Sequence, residues 1–521
     1  MRTPTRRALL GAAVATVGSG LLAACSDRTS GADRTGPRGE QASPPAGDHP
    51  ASQTAEVAAA EARRHPGPER RVRLLAAETR LDLGGRSVTS WAYGDRLPGP
   101  EIRVTAGDTL ALTLANHLPR ATTMHWHGLE LRNDMDGVPG LTQDPVEPGA
   151  SFEYRFAITN PGTYWFHPHT GVQLDRGLYG ALIVDDPHEP LRYDKEWVVV
   201  LDDWLDGVDG STPDDVLAEL TRSSGGAHGE HGEHGTSGAP GAAPPGPSRV
   251  GTGMTSELLG GEAGHVVYPY YLINGRTADS PETFTARPGD RIRIRIVNAG
   301  ADTAFRVALG GHELTVTHTD GFPVEHTTTQ ALLIGMGERY DVLVTAGDGV
   351  FPLTALAEGK DATALAVLRT GNGAAPPPAV RVGELSGKLV TSAQLSAGAA
   401  VRLPAKDPDR TLPLRLTGRV ADFNWAFDGR PYDPSQRHLV RQGERVRLVL
   451  TNSSAMWHPV HLHGHTFELP GGGPRKDTAI VLPRSSLAVD FDAGNPGQWM
   501  LHCHNLFHAE SGMMAVLGYA T

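Results

Sequence analysis

The chain has 521 residues, too many for one packed core, and its 39% hydrophobic content and mean hydropathy of -0.28 describe a soluble globular protein of two to four domains. The net charge of -12 grows more negative still without Arg2, Arg6 and Arg7, which argues against nucleic acid or anionic lipid as the main partner. Two cysteines exclude a disulfide framework, while 63 glycines and 40 prolines suit short strands and turns better than long helices.

Arg6-Arg7 precede an apolar, Ala- and Gly-rich stretch from Ala8 to Ala24 that runs into Cys25. The stretch is too short and too weakly apolar for a membrane span, so residues 1–25 read as an address. Thr5-Arg6-Arg7-Ala8-Leu9-Leu10 resembles a twin-arginine export signal, and Leu22-Ala23-Ala24-Cys25 resembles a bacterial lipoprotein processing site. The implied location is outside the cytoplasm, with the membrane touched only through a lipid on Cys25. Residues 26–71 are rich in Ser, Pro, Gly, Ala and charge and read as a flexible tether.

A strand pattern then appears three times. Gly107-Asp108 through Asn116 alternates apolar with small or polar residues, as a half-buried strand does, and returns at Gly289-Asp290 through Asn298 and Gly443-Glu444 through Asn452. Three copies predict three related β domains over 72–187, 195–371 and 380–521.

Histidines follow two of the copies. Nine residues after Asn116 comes His125-Trp126-His127, and nine after Asn452 comes His461-Leu462-His463. Asn160-Pro161-Gly162 leads to His167-Pro168-His169, as Asn495-Pro496-Gly497 leads to His502-Cys503-His504. The middle copy has Val307 and Leu309 at the first pair, with Thr354 and Leu356 expected at the second. On a strand, residues i and i+2 face one way, so each pair aims two imidazoles together, and four pairs predict eight at one interdomain site. Eight ligands suit a small cluster of metal ions, not one ion.

Cys503, flanked by His502 and His504, points to the opposite face. With His458, His508 and a weak axial Met513 it makes the donor set of a blue-copper electron-transfer site, and a poor match to a closed zinc site.

Across about residues 80–521 the chain resembles the multicopper oxidases, the family of laccases and cuprous oxidases. The motifs are His-Trp-His-Gly, His-Pro-His, His-Pro-Val-His-Leu-His-Gly-His and His-Cys-His-Asn-Leu-Phe-His-Ala-Glu-Ser-Gly-Met. The resemblance implies an all-β fold of three cupredoxin-like Greek-key sandwiches and four copper ions. It implies that His458, Cys503, His508 and Met513 hold type 1 copper, and His125 and His461 type 2. His127, His167, His169, His463, His502 and His504 would hold the type 3 pair. A reducing substrate, a phenol or cuprous ion, would give up single electrons near the His508 edge, and dioxygen would be reduced to two waters. Asp136 and Glu510 are the candidate proton carriers. The competing class is a non-catalytic copper carrier, for which four ligands in one domain would suffice.

Residues 223–248 carry His228, His231 and His234 among Gly, Glu and Pro, and are expected to be a loop of the middle domain, with copper capture as the sharper reading. His312, His318, His326 and His465 fit no ligand slot. Gly471-Gly472-Gly473-Pro474-Arg475-Lys476 mimics a phosphate loop without its ending. One chain supplies both cluster-forming domains, so a monomer is the expectation.

Overall fold

The recurring strand pattern recurs in space. In the computed structural model, which describes residues 51–222 and 246–520, strands Thr109–Asn116, Arg291–Asn298 and Arg445–Asn452 each lie inside a sheet. Each has one parallel neighbour, respectively Glu69–Asp82, Lys195–Trp204 and Arg410–Thr417. Each also has one antiparallel neighbour, respectively Ser151–Ala157, Arg339–Thr345 and Ser486–Asp492.

The conserved spacing has a local cause at both ends. Gly107, Gly289 and Gly443 take φ of +98°, +86° and +87°, a turn geometry that glycine adopts without strain. The next residue then closes the turn: Asp108, Asp290 and Glu444 accept the backbone N–H of Thr105, Arg287 and Arg441 at 2.9, 2.8 and 2.8 Å. At the far end Asn116, Asn298 and Asn452 are buried and work alike. Each Oδ1 accepts the N–H two residues on, at 2.9 Å, from Leu118, Gly300 and Ser454. Each Nδ2 donates to carbonyls of the following loop and of a distant one, among them Val146, Ile334 and Val481. The asparagine therefore fixes the path into the next strand.

Each copy is closed by a second sheet, giving three two-sheet sandwiches: two sheets of four strands, two of six, and a six with a five. All of them belong to one compact unit, His49–Thr521. In the first, strand His125–His127 pairs with Gly162–His167, setting His125 opposite His167. In the third, His458–Leu462 pairs with Gln498–Cys503, setting His461 opposite His502. Alternation does the rest. Trp126 turns inward onto Tyr154, Phe156 and Phe166, with ring centroids 5.1–6.0 Å away, so its two histidine neighbours must turn outward.

Three expectations are corrected. Ala51–Arg63 is a helix, not tether: Val57 and Ala60 are buried, Glu61 accepts the Ala157 N–H at 2.6 Å, and Arg64 donates to Asn495 at 2.9 Å. In the middle sandwich Val307 lies opposite Ala355, so Ala355 and Ala357 take the second-pair positions and Thr354 and Leu356 face the other way. Leu389–Val390 still pairs with the middle domain, at Ala331–Leu332, so the third sandwich starts later than residue 380. Residues 1–50, with Cys25, and 223–245, with His228, His231 and His234, lie outside the described residues.

Candidate metal centre

The four His-x-His pairs converge. His125 stacks on His463 and His127 on His461, both with ring centroids 3.8 Å apart, so each pair of one domain faces a pair of the other. His169, His463 and His502 bring ligand nitrogens within 4.8 Å of one another; His502 Nε2 is 3.1 Å from His463 Nε2 and 3.4 Å from His169 Nε2. His127, His167 and His504 form a second trio with centroids 4.9–5.8 Å apart. His125 and His461 remain, 5.7 Å apart.

Outer bonds decide which nitrogen each ring offers. His167 and His502 donate from Nδ1 to the next residue's carbonyl, Pro168 and Cys503, at 2.9 Å, leaving Nε2 for the cluster. His125 Nδ1 donates to the Asp136 carbonyl at 2.9 Å, and the Asp136 carboxylate reaches across to His463 Nδ1 at 2.9 Å. Asp477 repeats this from the other side. Its carbonyl takes His461 Nδ1 at 2.9 Å and its carboxylate takes His127 Nε2 at 3.0 Å. His127 alone of these thus offers Nδ1 inward.

Among its described residues the middle domain holds no cluster ligand, but it closes the site. Arg339 donates to both Asp477 carboxylate oxygens at 2.8 and 2.6 Å. Gly337, at φ +84°, lies so close that a Cβ there would sit 2.9 Å from both His127 and His504. Burial alone would raise the Asp477 carboxyl, but the Arg339 guanidinium prevails and holds it well below the usual range.

A second centre lies behind the strand. Cys503 Sγ is 3.5 Å from His458 Nδ1 and 3.6 Å from His508 Nδ1, and the two nitrogens are 3.1 Å apart. Met513 is buried beside them; its carbonyl accepts the Cys503 N–H and its N–H donates to the His508 carbonyl, both at 3.1 Å. Asn505 caps the short helix Leu506–Glu510 by accepting the His508 N–H at 3.2 Å.

These residues fit cations. Burial holds His127, His167, His463, His502, His504 and His508 well below the usual imidazole pKa, so they face inward as neutral ligands. Their inner nitrogens are orphans: His125 Nε2, His127 Nδ1, His167 Nε2, His461 Nε2 and both His504 nitrogens have no partner among the described residues. Lone pairs meeting at 3.1 Å repel without a positive ion between them. Burial also pushes the Cys503 thiol up, so a thiolate there requires a cation.

Family models described as multicopper oxidase match residues 75–189, 252–373 and 405–520. The chain is 46% identical over 521 residues to the multicopper oxidase MmcO of Mycobacterium tuberculosis, covering 99% of this chain and 96% of that one. This chain belongs to the multicopper oxidases. It is also 29% identical to a copper resistance protein A homolog of Pseudomonas syringae pv. tomato, over 84% of this chain and 90% of that one. The crystal structure of the multicopper oxidase Fet3p matches in fold with a TM-score of 0.70 at 23% identity, over 87% of this chain and 90% of that one. The chain is therefore a copper-dependent oxidoreductase, and its histidine clusters are of the kind a multicopper oxidase fills with copper.

For a multicopper oxidase, two further groups matter. A cavity of about 20 Å³, room for about one water, is walled by His167, His169, His502, His504 and Glu510. Burial, helped by Asp214, pushes the Glu510 carboxyl up to about 7. The His508 edge, in contrast, is not open: the ring is fully buried under Trp425 and His265, whose centroids lie 4.4 and 5.2 Å away. Of the histidines left without a slot, His326 lies exposed at the surface, while His465 and His312 are structural. His465 binds the Tyr519 hydroxyl at 2.7 Å, and His312 bridges Gly310 and Gly347. Asp477, Arg339, Gly337 and His265 carried no sequence signal, because each acts on a ligand far away in the chain.

Proposed function

We propose that this oxidase works outside the cytoplasm, taking electrons singly from a small phenolic, aromatic or cuprous donor and delivering four to dioxygen. The observation that carries the reading is the strand Gln498–Cys503 with His504: one side chain faces the two-histidine site and its two neighbours face the eight-histidine cluster. A copper carrier has no use for the cluster.

When bound, copper supplies the one-electron chemistry that no side chain here has, and the place where dioxygen becomes two waters. His458, Cys503, His508 and Met513 would hold the type 1 ion, His125 and His461 the type 2 ion, and the two trios the type 3 pair. Cys503 joins the centres covalently through the His502 and His504 backbones. Four protons must accompany four electrons. Glu510 is suited to holding one in the cavity wall, and Asp136, whose Oδ2 is taken by His463, to carrying another at its partner-free Oδ1.

The amino-terminal motif supports export and a lipid on Cys25, and the completeness of both half-sites supports a monomer. No helix among the described residues is long and apolar enough to cross a membrane.

Oxygen uptake by the copper-loaded chain tests the reading, comparing kcat/KM for cuprous ion with that for an electron-rich phenol. Uptake should require a donor and vanish in Cys503→Ser. A cuprous preference that weakens on deleting Ser223–Ser248 would assign copper capture to the His-rich stretch. No uptake with either donor would end the oxidase reading.

A further inference from the structure

The two imidazoles beside Cys503 are held differently. His458 turns its outer nitrogen, Nε2, to Ser454 Oγ of its own domain at 2.9 Å. His508 turns its Nε2 to another imidazole, His265 Nε2 of the middle domain, at 3.0 Å. Both rings are placed by one carboxylate. Asp302, paired with Lys360 at 2.8 Å, accepts the His265 backbone N–H on Oδ2 at 2.9 Å and the Asn505 side chain on Oδ1 at 2.7 Å, and Asn505 caps the helix that bears His508. Phe423 and Trp425 flank the His265 ring at 5.5 and 5.8 Å.

The protons follow from this geometry. His508 offers Nδ1 to the site it shares with Cys503 and His458, so its Nε2 carries the hydrogen and donates it. His265 Nε2 must accept, which leaves the hydrogen of His265 on Nδ1. Among the described residues nothing bonds that Nδ1. The free atom of this relay is thus an N–H, in a residue only 2% exposed, suited to an oxygen acceptor; a metal cation would find no lone pair there.

We infer that His265 is the donor-facing residue of the Cys503 centre. Its Nδ1–H binds the oxygen of a hydroxyl- or phenolate-bearing reductant, and the electron crosses the His265–His508 hydrogen bond. This rests on the oxidase reading and names its donor class. One electron would leave the phenol, its hydroxyl proton would go to solvent water, and the copper ion that His458, Cys503, His508 and Met513 would hold would take up that electron. No covalent bond to the protein forms.

The test uses the full copper-loaded chain, wild type beside His265→Phe and His265→Gln, with hydroquinone and cuprous ion as donors. Anaerobic stopped-flow follows loss of the visible absorption of the Cys503 centre; copper content and reduction potential are measured on the same samples. His265→Phe removes the bridge and the N–H, and reduction by hydroquinone should slow at least tenfold. His265→Gln, whose amide can accept from His508 and donate outward, should recover to within threefold of wild type. The KM for hydroquinone should rise at least tenfold in His265→Phe, with that for cuprous ion changing less than twofold. Wild-type reduction rates in His265→Phe, equal losses in Phe and Gln, or equal KM rises for both donors would overturn the inference. A wild-type protein that consumes no oxygen would instead defeat the oxidase reading.

Discussion

Asp136 and Asp477 do the same work on opposite sides of the cluster. Each presents its carbonyl to a histidine of its own domain and its carboxylate to a histidine of the other, so the sandwiches are cross-tied twice. They differ in what stands behind them. Asp477 is gripped by Arg339 of the middle domain, and Asp320 accepts its N–H at 3.2 Å. Asp136 has no Arg or Lys ion pair among the described residues, and its Oδ1 makes only a 3.2 Å approach to His125. One aspartate is clamped and serves as scaffold. The other stands beside the cluster with no cation against it and with its Oδ1 unpartnered among the described residues.

Removing the clamped carboxylate should therefore have the largest effect on stability. Asp477→Ala leaves buried Arg339 with only a 3.5 Å approach to Asp320 and frees the His127 imidazole, at a cost of about 3–5 kcal/mol. Urea unfolding of the copper-free chain measures it, and metal analysis should show copper lost with it. Asp136→Ala should cost about 1–3 kcal/mol, the scale of a lost buried hydrogen bond. Equal losses would erase the distinction.

The functional side of the contrast runs the other way. Asp136→Asn keeps the shape and removes the proton-holding charge, so turnover should fall about 10–100-fold, the usual scale for a group behind a metal ligand. Anaerobic reduction of the Cys503 centre should stay at the wild-type rate, because electrons arrive there before protons are needed. A matching fall in both rates would mean that Asp136 only positions His463.

The convergence of the candidate ligands is legible in the sequence because alternation on a strand forces i and i+2 onto one face and duplication repeats the spacing. Asp136 was legible only through the resemblance. Asp477 was hidden, since it follows Lys476 in a stretch that mimics a phosphate loop. Lys476 turns out to be buried against Asp320 and Glu338 at 3.1 and 3.0 Å. Nothing local marks such a pair. The misplacement of the second-pair positions by one residue shows how strands fail: a single step in register turns every side chain to the other face. The sequence of Ala51–Arg63 suits a tether as well as a helix, since Ala, Glu and Arg serve in both, but they are strong helix formers once Val57 and Ala60 find a surface.

The smallest effect concerns a second clamped carboxylate, away from the copper ligands. Asp341 of the middle domain takes Arg293 at 2.6 Å and Arg295 at 3.1 Å, and Thr163 of the first domain donates to it at 2.6 Å. Burial would raise its carboxyl, but the two guanidinium groups prevail and hold it well below the usual range. A depressed folded-state pKa adds stability above the unfolded value near 4 and gives it up as pH falls below that value. By pH 3 the loss from this group should be about 1 kcal/mol, because the unfolded chain binds the proton and the folded chain does not. Asp341→Asn isolates the term. The variant should be less stable than wild type at pH 7, and the gap should narrow steadily from pH 5 to pH 3 in urea titrations of the copper-free chain. A gap constant with pH would mean that Asp341 contributes hydrogen bonds alone and that clamping by arginine, here and at Asp477, stores no charge-dependent stability.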